Sequence, residues 1–263
     1  MKYILVTGAY GGMGRETTKL LAEKGFTVFA LDKKTECAQK NIIPITADVT
    51  NEESIRSAVQ SVREVTDTLF AIVHFAGIYM LDSLAEMKSD AFERIFRINV
   101  FGAFLINRAF LPFLKKGSRI LMTTSELAPL DPLPFTGIYA VTKSALDKYA
   151  YSLRMELQLL GIEVSVLRAG AVDTGMLGVS TQALDRFCEN TSLYSCNAKR
   201  FKGIVESVEA RCISPEKIAD KTFRILHKDY PKFAYSINRN PLLLMLNALP
   251  KSSQLWIIKK ILE

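Results

Sequence analysis

Short apolar runs of strand length alternate with helical periodicity almost from one end of the chain to the other. Tyr3–Thr7, 26–31, 42–46, 69–73, 118–124 and 162–168 read as strands. Between them, 13–24, 52–65, about 89–115 and 138–160 carry helical patterns, with Gly25 closing the first and Asn51 capping the second. Strands that are apolar throughout are buried on both faces, and intervening helices of this length let each strand return parallel to the last. The pattern therefore predicts an α/β fold, a doubly wound parallel sheet covered by helices on both sides. No composition break or repeat divides the 263 residues, so one domain is expected.

The alternation lapses between 175 and 213, where mixed residues without clear elements suggest a lid or binding loop. Ser214-Pro215-Glu216 then signals a helix start, and 233–237 reads as an edge strand. The tail from Pro241 to Glu263 is strongly apolar but broken by Pro250.

Several function classes are disfavoured. The formal charge of +7 comes with scattered basic pairs, Lys33-Lys34, Lys115-Lys116 and Lys259-Lys260, and no nucleic-acid-binding motif, so no nucleic-acid partner is expected. Cys37, Cys188, Cys196 and Cys212 have no metal-ligand spacing, and His74 and His227 lie far apart, so no metal site is expected. Met1-Lys2 leads straight into an apolar strand, leaving no room for a signal peptide, and no uninterrupted apolar run reaches the roughly 18 residues of a membrane span. A cytoplasmic protein is the expectation.

The first strand runs into Thr7-Gly8-Ala-Tyr10-Gly-Gly12-Met13-Gly14 and then a helix. Glycines allow close backbone approach to a pyrophosphate, and a helix N-terminus offers free N–H groups. Asp32 ends the second strand, where a carboxylate can accept from both ribose hydroxyls and repel a 2′-phosphate; this favours NAD, although Lys33 and Lys34 keep NADP open. Asp48-Val49 either meets the adenine edge or caps the turn into Thr50-Asn51. Tyr139 and Lys143, four residues apart at the start of a helix, share one face, and an ammonium beside a phenol lowers its pKa. Ser125 closes the fifth strand at the sheet's carboxyl edge, with Thr124 as the alternative hydroxyl.

Together these features resemble the short-chain dehydrogenase/reductase family, its compact single-domain branch, over roughly residues 3–230. The matching pieces stand in family order: the Gly loop, Asp48-Val49, Ala76-Gly77, Asn99, Ser125, Tyr139-xxx-Lys143 and Gly170-xxx-Thr174. The resemblance implies that Tyr139 is the proton donor or acceptor, that Ser125 polarises the carbonyl, and that Lys143 tunes Tyr139 and binds the nicotinamide ribose. It implies that Asn99 holds a water in a proton relay, the other reading being a buried Asn at a helix kink. Phe75, Ala76, Gly77, Gly170, Val172 and Thr174 join the cofactor site on the same ground. The chain departs from the family at His74-Phe75, expected to be packing, and at Ala169-Gly170, expected to loosen that turn.

Tyr79, Leu127, Met176 and Leu177 are the expected substrate lining, with Phe187, Leu193 and Tyr194 either lid or core. Leu127–Tyr139 and the apolar tail resemble the hydroxysteroid and retinol dehydrogenase branch. The substrate implied is a bulky hydrophobic secondary alcohol or ketone, a steroid or bile acid first, with a 3-oxoacyl thioester reductase or a non-catalytic nucleotide sensor as alternatives. The tail is expected to pack in a homodimer or homotetramer, the other readings being peripheral membrane contact and a cover for the substrate mouth.

Overall fold

The computed structural model describes residues 2–209 and 212–263, without side chains at 175–181 and 206–209. Seven strands form one sheet: β1 (Tyr3–Thr7), β2 (Thr27–Asp32), β3 (Ile42–Thr46), β4 (Leu69–His74), β5 (Leu114–Ser125), β6 (Glu163–Ala169) and β7 (Ala234–Ile237). Their order is β3-β2-β1-β4-β5-β6-β7, and every pairing is parallel. The apolar strands do face packing on both sides, as the pattern predicts. Leu5, Phe29, Ile72, Ile120 and Met122 enter one apolar cluster, while their neighbours Ile4, Val28, Ala71, Val73 and Leu121 enter the other. Strand side chains alternate between faces, so each strand feeds both layers.

Helices α1 (Gly12–Glu23) and α8 (Pro215–Leu226) pack side by side; α2 (Glu52–Arg63), α4 (Gly102–Phe110) and α5 (Gly137–Leu157) contribute to the other layer. Asn51 caps α2 by accepting from the Ser54 N–H at 2.9 Å. Ser214 occupies the cap position of α8 in extended conformation without a capping bond, so Pro215 in the first turn supplies the start signal.

The expected long helix over 89–115 is divided. α3 (Ser89–Phe96) passes through a π-helical turn, Arg97–Phe101, into α4, and a 3-10 turn, Leu111–Phe113, leads into β5 at Leu114. By length and composition Ser89–Phe113 could cross a bilayer, yet Ile95, Leu105, Ile106 and Phe110 are buried. Such a run is equally typical of a core helix.

The greatest difference from expectation lies at 175–213. Two helices stand there, α6 (Gly175–Asn190) and α7 (Ser195–Glu209). They share a third cluster of Leu81, Leu184, Phe187, Ala198, Phe201 and Leu262. The last of these belongs to the tail, which forms α9 (Pro241–Asn247) and α10 (Lys251–Leu262) on either side of the Pro250 break. Asn197 donates to the Leu262 carbonyl at 2.7 Å and fixes α10 against α7.

Candidate active site

At β1 the strand order reverses, and chain order places the carboxyl ends of β1 and β4 side by side, where a crevice opens. Gly8 has φ +66°, and a Cβ there would lie 2.5 Å from the Ala76 nitrogen. A Cβ on Gly14 would lie 2.0 Å from the Gly8 carbonyl oxygen, and one on Gly12 would meet the Thr174 side chain at 2.6 Å. Backbone therefore closes on backbone around the N-terminus of α1, leaving a cradle that only glycine permits. Phe75 and Ala76 form one wall of it, and Thr174 reaches it from beyond β6. Met13 packs partly into the core beneath.

Asp32 accepts from the Tyr10 N–H at 3.0 Å and from the Lys33 N–H at 2.7 Å. These use part of its accepting capacity, since a carboxylate has about four lone-pair sites. Two of its neighbouring cations are engaged elsewhere, Lys33 with Asp48 and Arg15 with Glu36, each at 2.7 Å, whereas Lys34 is exposed. Asp48 also accepts from the Thr50 N–H and hydroxyl at 2.9 and 2.7 Å, which is the turn arrangement. Burial pushes Asp48 up, but the bonds from Lys33 and Thr50 outweigh it and hold the carboxyl below its usual range. Val49 is buried in the core against Gly102.

Tyr139 lies in the first turn of α5 and Ser125 at the end of β5, with the Ser125 hydroxyl close enough to the phenol to favour its ionised form. Thr124 is turned away from them and bonds Asp147 at 3.2 Å, so Ser125 is the hydroxyl at the phenol. This follows from strand alternation: adjacent residues point to opposite faces. Lys143 is buried, its Nζ 5.7 Å from the Tyr139 ring centre and donating to the Thr123 carbonyl at 3.1 Å. Burial pulls Lys143 down to about 8. The expected acidification of Tyr139 is not found. Burial pushes the phenol well above its ordinary value, Tyr79 adds to that, and only the Ser125 hydroxyl opposes it. Lys143 is not among the groups that lower the phenol: burial governs both side chains.

Asn99 lies in the π-helical turn, buried, with Oδ1 accepting from the Ile78 N–H at 2.8 Å. Its Nδ2 donates to the Ile78 carbonyl and to the Thr142 hydroxyl, at 3.0 and 3.1 Å. The side chain thus serves the helix irregularity, and it also borders the site. A Cβ on Gly77 would stand 3.2 Å from Asn99 Oδ1 and 3.5 Å from Lys143 Nζ, so Gly77 lets both approach.

Tyr79 covers Tyr139, their ring centres 4.9 Å apart. Leu127 is half-buried just past Ser125, its N–H donating to the Ser125 hydroxyl at 3.2 Å. The side chains of Met176 and Leu177 lie outside the described residues. Phe187 and Tyr194 surround Phe135 in the third cluster, whereas Leu193 is exposed. The turn after β6 is tight where it was expected to be loose. A Cβ on Gly170 would lie 1.8 Å from the Asn238 carbonyl oxygen, and the Gly170 N–H donates to Ile237. Val172 is buried and bridges to Ile213. His74 is packing: buried, bonded to Asn107 at 2.9 Å, and pushed down by burial to about 4.

Three neighbours escaped the sequence reading. Asp147 binds Arg168 through two bonds of 3.0 and 2.7 Å; Thr142 bridges Asn99 to the Tyr139 carbonyl; Glu126 is half-buried and accepts from Asn240 at 2.6 Å. Asp147 stands four residues beyond Lys143 on one helix face, a spacing that could have flagged it. Cavities beside Arg119 and Pro231 and beside Arg63 and Phe113 lie at the opposite edge of the sheet and contain none of these residues.

The sequence model described as "short chain dehydrogenase" matches residues 2–185. Estradiol 17-beta-dehydrogenase 2 of Mus musculus is 34% identical over 190 residues, which are 67% of this chain and 50% of that protein, so the match spans half of that relative. 3-Ketodihydrosphingosine reductase of Bacteroides thetaiotaomicron is 25% identical over 250 residues, covering 95% of this chain and 91% of that one. Among solved structures, a short-chain dehydrogenase from Streptomyces avermitilis superposes with a TM-score of 0.78 at 21% identity, covering 99% and 96% of the two chains. 3-Ketoacyl-(acyl-carrier-protein) reductase from Brucella melitensis, complexed with NADH, gives 0.73 at 20% identity over 90% and 96%. Both structural likenesses establish the fold.

Proposed function

The chain belongs to the short chain dehydrogenase family, and from that premise we propose that it is an NAD(P)-dependent oxidoreductase that interconverts a bulky hydrophobic secondary alcohol and its ketone. The observation that carries the reading is the convergence of the Ser125, Tyr139 and Lys143 side chains under Tyr79, at the sheet edge that also holds the glycine cradle.

The cradle suits a dinucleotide: glycines at 8, 12 and 14, a helix N-terminus, and a carboxylate at the end of β2. Gly8, Gly12 and Gly14 would face its pyrophosphate, Asp32 its adenosine ribose, and Lys143 its nicotinamide ribose. When bound, the nicotinamide supplies or accepts the hydride. In the reducing direction, Tyr139 gives its hydroxyl proton to the carbonyl oxygen as the carbon becomes tetrahedral. Ser125 donates a hydrogen bond to that same oxygen, and Lys143 stabilises the phenolate left behind and returns a proton to it. Oxidation runs these steps backwards. General acid–base catalysis of this kind contributes roughly 10²–10⁴ in rate. NAD is the preferred nucleotide in this reading, because Asp32 repels a 2′-phosphate while Lys33 and Arg15 are held by other carboxylates.

The relatives named for an estradiol and for a ketodihydrosphingosine support a large apolar substrate, as does the apolar cluster that Tyr79 borders. We take a hydroxysteroid or bile acid as the first candidate. The test is a panel of steroids, bile acids, retinoids and acyl thioesters with each nicotinamide, read at the absorbance of the reduced cofactor. Turnover of a hydroxysteroid with NAD is expected, falling at least about a hundredfold in Tyr139→Phe while NADH still binds. Activity confined to acyl thioesters would overturn the substrate assignment, and full activity in Tyr139→Phe would overturn the mechanism. Asp32→Ala should narrow the preference for NAD over NADP; unchanged discrimination would assign the ribose to another residue.

A further inference from the structure

Helix α10 packs one side against the third cluster and presents large apolar side chains on the other, and α9, which has no fully buried residue, presents more of them. Leu242, Met245 and Leu249 recur at i, i+3 and i+7 and are 62%, 68% and 40% exposed. On α10, Gln254 and Leu262 are buried and Ile258 packs against the third cluster, whereas Leu255 and Trp256 are 69% and 63% exposed. A single exposed apolar residue needs no explanation, but Leu242 and Met245 on α9, Leu249 in the turn after it, and Leu255 and Trp256 on α10 follow one another too closely in the chain to be scattered singles.

The charges say what. Lys259 stands four residues from Leu255 and three from Trp256, so its ammonium rises from the middle of the apolar face, and Lys260 stands four from Trp256. Both side chains are more than half exposed, at 68% and 59%, and their ion pairs to Glu263 are surface pairs. A protein partner covering Leu255 and Trp256 would have to bury Lys259, and lysine is depleted from interface cores for that reason. A lipid headgroup layer imposes no such cost. The lysine stem lies along the acyl boundary while the ammonium meets phosphate, and tryptophan favours that same depth.

We propose that the exposed face of α9 and α10 rests on an anionic phospholipid surface. This goes beyond the catalytic reading and does not depend on it.

Trp256 is the sole tryptophan of the chain, so its emission reports this face alone. The full chain is mixed with phosphatidylcholine vesicles with and without phosphatidylserine, and followed by Trp emission and co-sedimentation. A blue shift and pelleting with the serine lipid, both reversed by high salt, are expected. Met245→Glu with Leu255→Glu keeps the reporter and should abolish both; Lys259→Glu with Lys260→Glu should abolish the preference for anionic lipid. All four positions are exposed, and circular dichroism verifies that each variant folds. Unchanged emission with protein left in the supernatant would overturn the proposal. So would a blue shift that follows protein concentration without vesicles, which would make this face a contact between copies.

Discussion

Lys143 keeps its ammonium in a dry site with one hydrogen-bond acceptor, the Thr123 carbonyl, and burial has pulled it down to about 8. An unfolded lysine titrates near 10.4. Between those values the unfolded chain holds the proton more tightly, so stability rises with pH there, and the penalty of burying the charge is fully present below 8. Tyr139 acts in the opposite sense. Its folded value is raised, chiefly by burial, so above about 10 the unfolded phenol ionises first and stability falls. Urea unfolding should therefore show stability gained from pH 8 to about 10, on the order of 2–3 kcal/mol, and a flat profile over that window in Lys143→Met. Equal slopes in the two proteins would mean that Lys143 is solvated. Gly8 supports a second expectation: Gly8→Ala combines φ +66° with a 2.5 Å approach to Ala76, and should remove NADH binding in a titration. Retained affinity would separate the cradle from the cofactor. That Tyr139 and Lys143 share a helix face could be read from their spacing. That desolvation governs both could not, because it depends on Tyr79 and on strands remote in sequence.

The elements are joined at the active-site edge by a part-buried ion pair. Asp147 on α5 holds Arg168 of β6 at 2.7 Å and accepts from Thr124 of β5, so one carboxylate ties the catalytic helix to the two strands beside it. Removing one partner of a fully buried pair typically costs about 3–5 kcal/mol, and the partial exposure of Arg168 lowers the expected loss to roughly 1–3 kcal/mol. Asp147→Ala should lose about that much in urea unfolding, and Asp147→Ala with Arg168→Met should recover much of it. A double variant as unstable as the sum of the single ones would show that the pair is not coupled. The strands could be located from sequence because continuous apolar runs have few alternatives in a doubly wound sheet, and Asn51 and Pro250 act where their chemistry requires. The start of β5 at Leu114 was hidden by Lys115-Lys116-Gly117, which projects beyond the packed part of the sheet and is exposed. The irregularity at Asn99 was foreseen only as the alternative reading of a buried Asn at a helix kink; its bonds to Ile78, on another segment, could not be read from the local sequence. Helices α6 and α7 were missed because their apolar face meets a small cluster built by distant residues, which weakens the periodicity.

At the scale of the whole molecule, that small cluster stands apart from the two layers on the sheet. It is assembled from α6, α7, α10 and loop residues Leu81 and Phe135, with Tyr79 at its border. Phe135, at φ +65°, meets the rings of Phe187, Tyr194 and Phe201 at centre distances of 4.6, 5.3 and 5.4 Å. Glu86 ties the α6–α7 connection down, accepting from the Thr191 hydroxyl at 2.6 Å and from the Ser192 and Leu193 N–H groups at 2.9 and 3.1 Å. The bond from Thr191 is the chief cause holding this carboxyl at about 2. Its contribution is complete above the unfolded value near 4.3 and is lost as pH falls toward 2. A cluster of this size, supplied by segments far apart in the chain, can open without opening the sheet. Phe187 is buried, and truncating a buried Phe costs about 3–5 kcal/mol. Phe187→Ala should therefore speed amide exchange in α6, α7 and α10 while the strands β1, β4 and β5 keep their protection. Because Tyr79 borders both this cluster and Tyr139, the same variant should raise KM for a hydrophobic alcohol and leave NADH affinity unchanged. Uniform loss of protection across the sheet would instead join the third cluster to the rest as one cooperative unit, and α6, α7 and α10 would then have no motion independent of the strands.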